Sequence, residues 1–184
     1  QSGSSKRRVG LAHIAPTLAK LAQVKNLPDA AEAPLSEPWK AGIKETPRAV
    51  LMLVIDQGGW STLRQHKNKT PNLDRLMKEG FVYTQAYTDY GASGTAASHA
   101  VLGTGTFPAY HGIFDNSPHM KSLDKVEEVY TGSSGVDMLQ LREPSLADLW
   151  NQSYPKTSVI ISYSAASRAA VGMAGHGKLY EGSN

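Results

Sequence analysis

The segment Ala49-Val50-Leu51-Met52-Leu53-Val54-Ile55-Asp56-Gln57-Gly58-Gly59 decides the fold class. An apolar run of strand length with no polar alternation suits a strand covered on both faces, as in a parallel sheet. It stops abruptly at Asp56, and open α/β sheets place their ligands at the carboxyl ends of such strands. Working outward, Thr70 as cap, Pro71 in the first turn, Leu73, Leu76 and Met77 on one face and Gly80 as terminator predict a compact helix. Phe81 to Tyr87 reads as the next strand, and Ala96 to Leu102 after the small-residue loop Gly91–Gly94 as another helix. Pro144 and Ser145 open a helix through Trp150, and Val159, Ile160 and Ile161 form a second buried strand. Strand, helix, strand, helix, strand is an α/β signature, and no internal repeat interrupts it.

Upstream, Leu11, Ile14, Leu18, Leu21 and Val24 recur at helical spacing, with Pro16 suited to a first turn. Pro28, Pro34, Pro38 and Pro47 then keep the chain extended. Residues 1–48 therefore divide off as an arm and linker with one short helix after a disordered-looking start, in which Lys6-Arg7-Arg8 reads as a solubilising tail. Residues 49–184 carry the chemistry. The chain opens on Gln1 without a Met, which a removed export signal or a trimmed chain would equally leave, and it stops in the polar stretch Gly177–Asn184, which suggests a fragment.

The 184 residues hold 19 Lys and Arg against 16 Asp and Glu, a net charge of +3 with 19% charged residues. That balance leaves no basic face and argues against a dedicated nucleic-acid binder. No run approaches the ~20 apolar residues of a membrane helix. Cysteine is absent, which excludes disulfides, zinc thiolates and thiol nucleophiles but not a metal held by Asp and His.

The most informative chemistry is Asp56 followed by Gly94-Thr95-Ala96-Ala97-Ser98-His99-Ala100 and then Thr104-Gly105-Thr106-Phe107-Pro108-Ala109-Tyr110-His111-Gly112-Ile113. Thr95 occupies the last loop position before a helix. A hydroxyl there meets unpaired N–H groups and the positive end of the dipole, so it either caps the helix or approaches a phosphate as a nucleophile. The local sequence by itself favours capping.

With Thr70-Pro71-Asn72-Leu73-Asp74-Arg75-Leu76, Gly80, Thr104-Gly105, Pro108, His111-Gly112-Ile113 and Asn116 added in this order and spacing, the chain resembles the alkaline phosphatase superfamily. Within it, it is most similar to the type I phosphodiesterase/nucleotide pyrophosphatase branch and its threonine-dependent phosphatase relatives. The resemblance runs from Val50 to His176 and includes Arg168-Ala169-Ala170-Val171. It implies a doubly wound, mostly parallel sheet between helices, of which this chain is the N-terminal part. It also implies hydrolysis of phosphate monoesters or diesters through a covalent phosphothreonine, with two divalent metal ions, usually zinc. Carried over by position, Asp56 is a metal ligand, Thr95 the nucleophile and a metal ligand, Asn116 a donor to a phosphoryl oxygen and Arg168 a phosphate ligand. A periplasmic or secreted location goes with the resemblance.

The chain departs from the pattern in two ways. Ala166 stands where the phosphatase relatives carry Lys, which puts monoester specificity in doubt. The remaining metal ligands of the family lie beyond the matched region, and Asp56 alone cannot hold two ions. A second polypeptide or further segment must then complete the sheet and the site, unless the chain is a noncatalytic or regulatory fragment that folds against a partner. A Ser/Cys sulfatase is disfavoured because no Cys or Ser is followed by the Pro and Arg that such a site needs; a phosphoethanolamine-type transferase shares the nucleophile. The other polar residues read as structural: His99 as a brace for the loop, His111 and His176 as turn residues, Asp74, Asp89, Asp115 and His119 as surface or capping groups. Ser93 and Ser98 lie off the nucleophile position, and Trp60 and Tyr90 line a pocket or a core.

Overall fold

The computed structural model describes residues 2–24, 27, 29–39, 42, 45–120, 124–132 and 135–177; Gln1, Pro28 and the closing residues 178–184 of the sequence reading lie outside them. The chain forms two compact units, Gln1–Val9 with Ser36–Ala86 and Gly10–Leu35 with Tyr87–Asn184. Its class is mixed α/β, a parallel strand pair with flanking helices, as the sequence pattern predicts.

In the first unit, β1 (Gly3–Gly10) pairs with β2 (Phe81–Tyr87). The Gly3 N–H donates to the Gly80 carbonyl at 3.0 Å and the Thr84 hydroxyl to the Ser5 carbonyl at 3.2 Å, so the two strands run in the same direction. The opening residues are thus a strand. Arg7 does not trail into solvent: its Nη1 donates to Glu37, which also accepts from the Tyr83 hydroxyl at 3.1 Å and the Ser36 N–H at 3.0 Å. Partial burial raises the Glu37 carboxyl, yet these donors outweigh it and hold the group down at about 2, while burial and the facing carboxylate push the Tyr83 phenol up to about 12. Two helices complete the unit, α2 (Trp60–Gln65) and α3 (Pro71–Glu79). The latter begins after Thr70 and ends at Gly80 as the cap signals predict, although Thr70 makes no side-chain cap and Leu76 remains 54% exposed.

The expected strand at 49–55 does not form. The segment is extended without a ladder, and Leu51, Leu53 and Ile55 are 91%, 71% and 53% exposed. An extended chain becomes a strand only beside a neighbour that accepts and donates its backbone hydrogen bonds, and among the described residues β1 and β2 pair with each other. Val159, Ile160 and Ile161 repeat this in the second unit: expected as a buried strand, they are extended and 80%, 42% and 85% exposed.

The second unit is organised around α4 (Thr95–Thr104), where every residue from Ala96 to Thr104 except Ser98 is buried. A helix of small and apolar residues on all sides can be enclosed completely. Against it packs α7 (Ser167–Ala174). The two meet at glycines: a Cβ on Gly103 would overlap the Gly172 carbonyl oxygen, and one on Gly172 would lie 3.1 Å from the Ala100 nitrogen. Only residues without side chains permit so close a crossing. Helix α1 (Ile14–Leu21) has Pro16 in its first turn and packs Ala15 and Ala19 with Leu146 and Leu149 of α6 (Leu146–Ser153), sealed by the Tyr154 hydroxyl on the Ala22 carbonyl at 2.9 Å. Between α4 and α6 come the short α5 (Pro108–His111) and two antiparallel two-residue ladders, β3 (His119–Met120) with β4 (Lys125–Val126) and β5 (Thr131–Gly132) with β6 (Gly135–Val136). A second core cluster joins Ala96, Ala100, Ile113, Val129, Tyr130, Met138 and Leu141.

Candidate active site at the start of α4

The loop Tyr90–Gly94 delivers the chain to α4 with Gly94 as N-cap in an extended conformation, its carbonyl accepting the Ser98 N–H at 2.9 Å. Thr95 is therefore the first residue of the helix and not, as the sequence suggests, the last of the loop. A cap needs only a residue of extended backbone whose carbonyl starts the ladder, and Gly94 meets that need. The helix's early donors find a partner from elsewhere: the Asn116 Oδ1 accepts the Ala96 N–H at 2.9 Å. Since an N–H can only donate, this bond fixes the Asn116 amide with its carbonyl toward α4 and leaves Nδ2 as the donor. The structure thus brings Thr95 and Asn116 together at one helix N-terminus, both half-buried.

Arg168 is tied to the same region. It is the second residue of α7, after Ala166 as N-cap, and its Nη1 donates to Glu128 at 3.0 Å. The next residue, Val129, donates its N–H to the Asn116 carbonyl at 2.8 Å. Backbone and side-chain bonds therefore link Arg168 through Glu128 and Val129 to Asn116, and through Asn116 to Ala96. The Arg168 Nε is buried without a hydrogen-bond partner among the described residues. His99 braces this corner as expected, with its Nδ1 donating to the Thr95 carbonyl at 2.8 Å. Tyr90 donates its hydroxyl to Ser98 at 3.0 Å and packs on Phe107; burial, with help from Asp89, pushes its phenol up against the lowering effect of Ser98.

Asp56 stands differently from expectation. It lies in the first unit, in the turn where Gln57 adopts a φ of 57°, and its Oδ1 accepts the Gln57 N–H at 3.0 Å. The carboxylate is exposed and not buried, because the segment that leads to it is exposed too. Among the described residues no group of three or more His, Cys, Asp or Glu is close enough to hold a metal ion. The donors present here do not by themselves fit a two-metal centre.

One polar cluster escaped the sequence reading. Asp148 in α6 has no exposed side-chain surface. It accepts from the Ser145 N–H at 2.8 Å, the Ser145 hydroxyl at 3.0 Å, the His176 N–H at 2.7 Å and the His176 Nδ1 at 3.0 Å, while the His176 Nε2 donates to the Leu141 carbonyl at 2.8 Å. Ser145-x-x-Asp148 is a capping box legible in the sequence; its link to a histidine 28 residues on is not. The hydrogen bond to Asp148 raises the His176 imidazole despite burial, and the donors that face Asp148 lower its carboxyl although burial opposes them. His111 is the contrary case: burial lowers it to about 4, and its Nδ1 accepts the Ile113 N–H at 3.1 Å, so it stays neutral. Asp115 caps the Ser117 N–H, and His119 pairs with Asp124 at the surface.

The mixed α/β fold, a parallel strand pair with flanking helices, is consistent with the alkaline phosphatase-like class. The chain belongs to the type I phosphodiesterase / nucleotide pyrophosphatase family, whose model matches residues 50–179. It is 28% identical over 146 residues to alkaline phosphatase PafA of Elizabethkingia meningoseptica, covering 71% of this chain and 26% of the relative. It is 27% identical over 150 residues to alkaline phosphatase PhoD of Zymomonas mobilis, covering 76% and 25%. Human N-acetylgalactosamine-6-sulfatase is 29% identical over 96 residues, half of this chain and 18% of the sulfatase. The chain thus spans about a quarter of the length of the phosphatases it matches. No solved structure matches it, and no helix among the described residues is long and apolar enough to cross a membrane.

Proposed function

We propose that the protein hydrolyses phosphate esters, monoesters or diesters, with Thr95 as nucleophile. The Thr95 hydroxyl gives up its proton to solvent as its Oγ attacks phosphorus in line with the leaving oxygen, the ester P–O bond breaks, and the departing alkoxide takes up a proton from solvent. Water then attacks the phosphothreonine, releasing the phosphate product and restoring the hydroxyl. The observation that carries the reading is the joining of Thr95 and Asn116 at the N-terminus of α4. There the dipole favours the developing negative charge, and the Asn116 Nδ2 can donate to a phosphoryl oxygen. Arg168 adds a planar cation suited to two phosphoryl oxygens. On this reading residues 49–184 are the N-terminal part of the catalytic domain, after an arm and linker at 1–48, and the location is periplasmic or secreted on the strength of the resemblance.

The two divalent ions that the resemblance implies, with zinc as the first choice, need ligands beyond Asp56 and Thr95. We therefore place those ligands, and the neighbours of 49–55, on a further C-terminal segment or a second polypeptide. Support comes from the exposed apolar segments and from the lack of a ligand cluster among the described residues. In the full-length protein, Thr95→Ala should abolish turnover of 4-nitrophenyl phosphate and bis(4-nitrophenyl) phosphate with the fold intact, Thr95→Ser should retain part of it, and Ser93→Ala should cost far less. Near-normal activity of Thr95→Ala overturns the mechanism. The lack of a ligand cluster also favours a second reading, a noncatalytic fragment folded against a partner; about two zinc ions per purified complex would exclude it.

A further inference from the structure

The Arg168–Glu128 pair is a feature of this chain that the phosphate-ester reading does not by itself require. A guanidinium offers five donors in a flat fork. Glu128 takes Nη1, which leaves the edge formed by Nε and Nη2, and the Nε–H on that edge is buried without an acceptor among the described residues. A buried donor left unmet is costly, so this edge is where an incoming acceptor gains most. Glu128 also brings a negative charge: its side chain and that of Arg168 are 48% and 33% exposed, so the pair is only partly screened by water. The charge of Arg168 is thereby partly offset, and Ala166 at the start of α7 adds no charge of its own.

We propose that Glu128 is a positioning and specificity residue: it holds Arg168 by Nη1 so that the Nε–Nη2 edge meets two oxygens of one phosphoryl group, and its charge biases the site toward singly charged phosphodiesters over doubly charged monoesters. The inference rests on the reading of Arg168 as a phosphate ligand. The fork geometry supplies the two nonbridging oxygens of a diester with two donors. A monoester dianion brings a second negative charge toward the Glu128 carboxylate and is penalised by it.

The test uses the full-length protein and its Glu128→Gln, Glu128→Ala and Arg168→Ala variants, with 4-nitrophenyl phosphate and bis(4-nitrophenyl) phosphate as substrates and inorganic phosphate as inhibitor. Glu128→Gln keeps an acceptor for Nη1 and removes the charge. It should raise the monoester-to-diester ratio of kcat/KM by about five- to tenfold, as expected of one unit charge acting over roughly 7 Å at an effective dielectric of about 40. It should also tighten phosphate inhibition, with both effects shrinking at high salt. Glu128→Ala removes the positioning as well and should raise KM for both substrates. A ratio unchanged within about twofold in Glu128→Gln, while Arg168→Ala loses activity, overturns the inference and leaves the phosphatase reading standing. No loss in Arg168→Ala removes the premise and the inference with it.

Discussion

Replacing His176 with Ala tests the buried ion pair that anchors α7, the helix bearing Arg168. Both ring nitrogens face atoms that only accept, an Asp148 carboxylate oxygen at 3.0 Å and the Leu141 carbonyl at 2.8 Å, so the folded ring carries both protons. The substitution deletes these two charge-assisted bonds and leaves Asp148, without exposed surface, to the Ser145 donors and one backbone N–H. Removing one partner of a buried pair costs about 3 kcal/mol, an amount that two charge-assisted bonds account for unaided. The sign of the pH dependence follows from the shifts. The His176 value is raised above 6.5 in the fold, so its contribution is complete below pH 6.5 and is lost as pH rises through the folded value. The Asp148 value is lowered from 3.8, so its contribution is present above pH 3.8 and is lost as pH falls through the folded value. The two describe one interaction and are counted once. Denaturant unfolding of the full-length protein and of His176→Ala, followed by fluorescence from about pH 6 to about pH 10, should give a gap near 3 kcal/mol at the acid end that narrows toward the alkaline end. A gap that stays constant over this range would refute the assignment of a protonated His176, and no gap at the acid end would refute the pair itself.

Asn116 allows its two roles to be separated. Asn116→Asp keeps an acceptor for the Ala96 N–H and should leave stability unchanged or slightly higher, while the loss of the Nδ2 donor lowers kcat/KM by roughly tenfold or more; Asn116→Ala should add a stability loss of about 1 kcal/mol. Equal activity of Asn116→Asp and the parent would remove Asn116 from the phosphoryl site. Asp56→Asn in the full-length protein should lower bound metal and activity together, measured by elemental analysis and turnover, and an unchanged metal content would show that Asp56 is not a ligand.

Legibility followed the range of the forces involved. Helix α3 was readable to its boundaries because Pro71 and Gly80 act on their own backbone, and the start of α6 because Ser145 is a cap residue, although α6 runs on to Ser153, past the expected end at Trp150. The extent of α4 was readable within a few residues from its small and apolar composition, but the exchange of Thr95 for Gly94 as cap was not, since either residue can adopt the extended conformation. The opening strand was missed because Gly3 to Arg8 carries no apolar pattern; β1 is held by its neighbour β2 and by the Glu37 clasp, both distant in sequence. At the candidate site, Thr95, Asn116 and Arg168 could be named from the family resemblance, whereas Glu128 and the Asp148–His176 pair could not. Their partners lie 40 and 28 residues away, and only the fold brings them together.

The two apolar stretches that remain extended bring composition and conformation into conflict, and the conflict is informative. Leu51, Leu53 and Ile55 in one unit, and Val159, Ile161 and Tyr163 in the other, expose most of their side-chain surface. Burying each such side chain would contribute about 1.5–3 kcal/mol, so a chain with neighbours to offer would use them. Strand composition is set by the surroundings a strand occupies in the finished sheet, and β-branched and Leu-rich runs without alternation belong to strands covered on both faces. The backbone at 49–55 is already extended, as pairing requires; among the described residues it has no ladder partner and Leu51, Leu53 and Ile55 are exposed. The exposed Asp56 follows from the same deficit, because a strand end becomes a pocket only when adjacent strands raise its walls. On the function proposed above, one further segment supplies both the sheet neighbours and the metal ligands, so neither should be restored without the other.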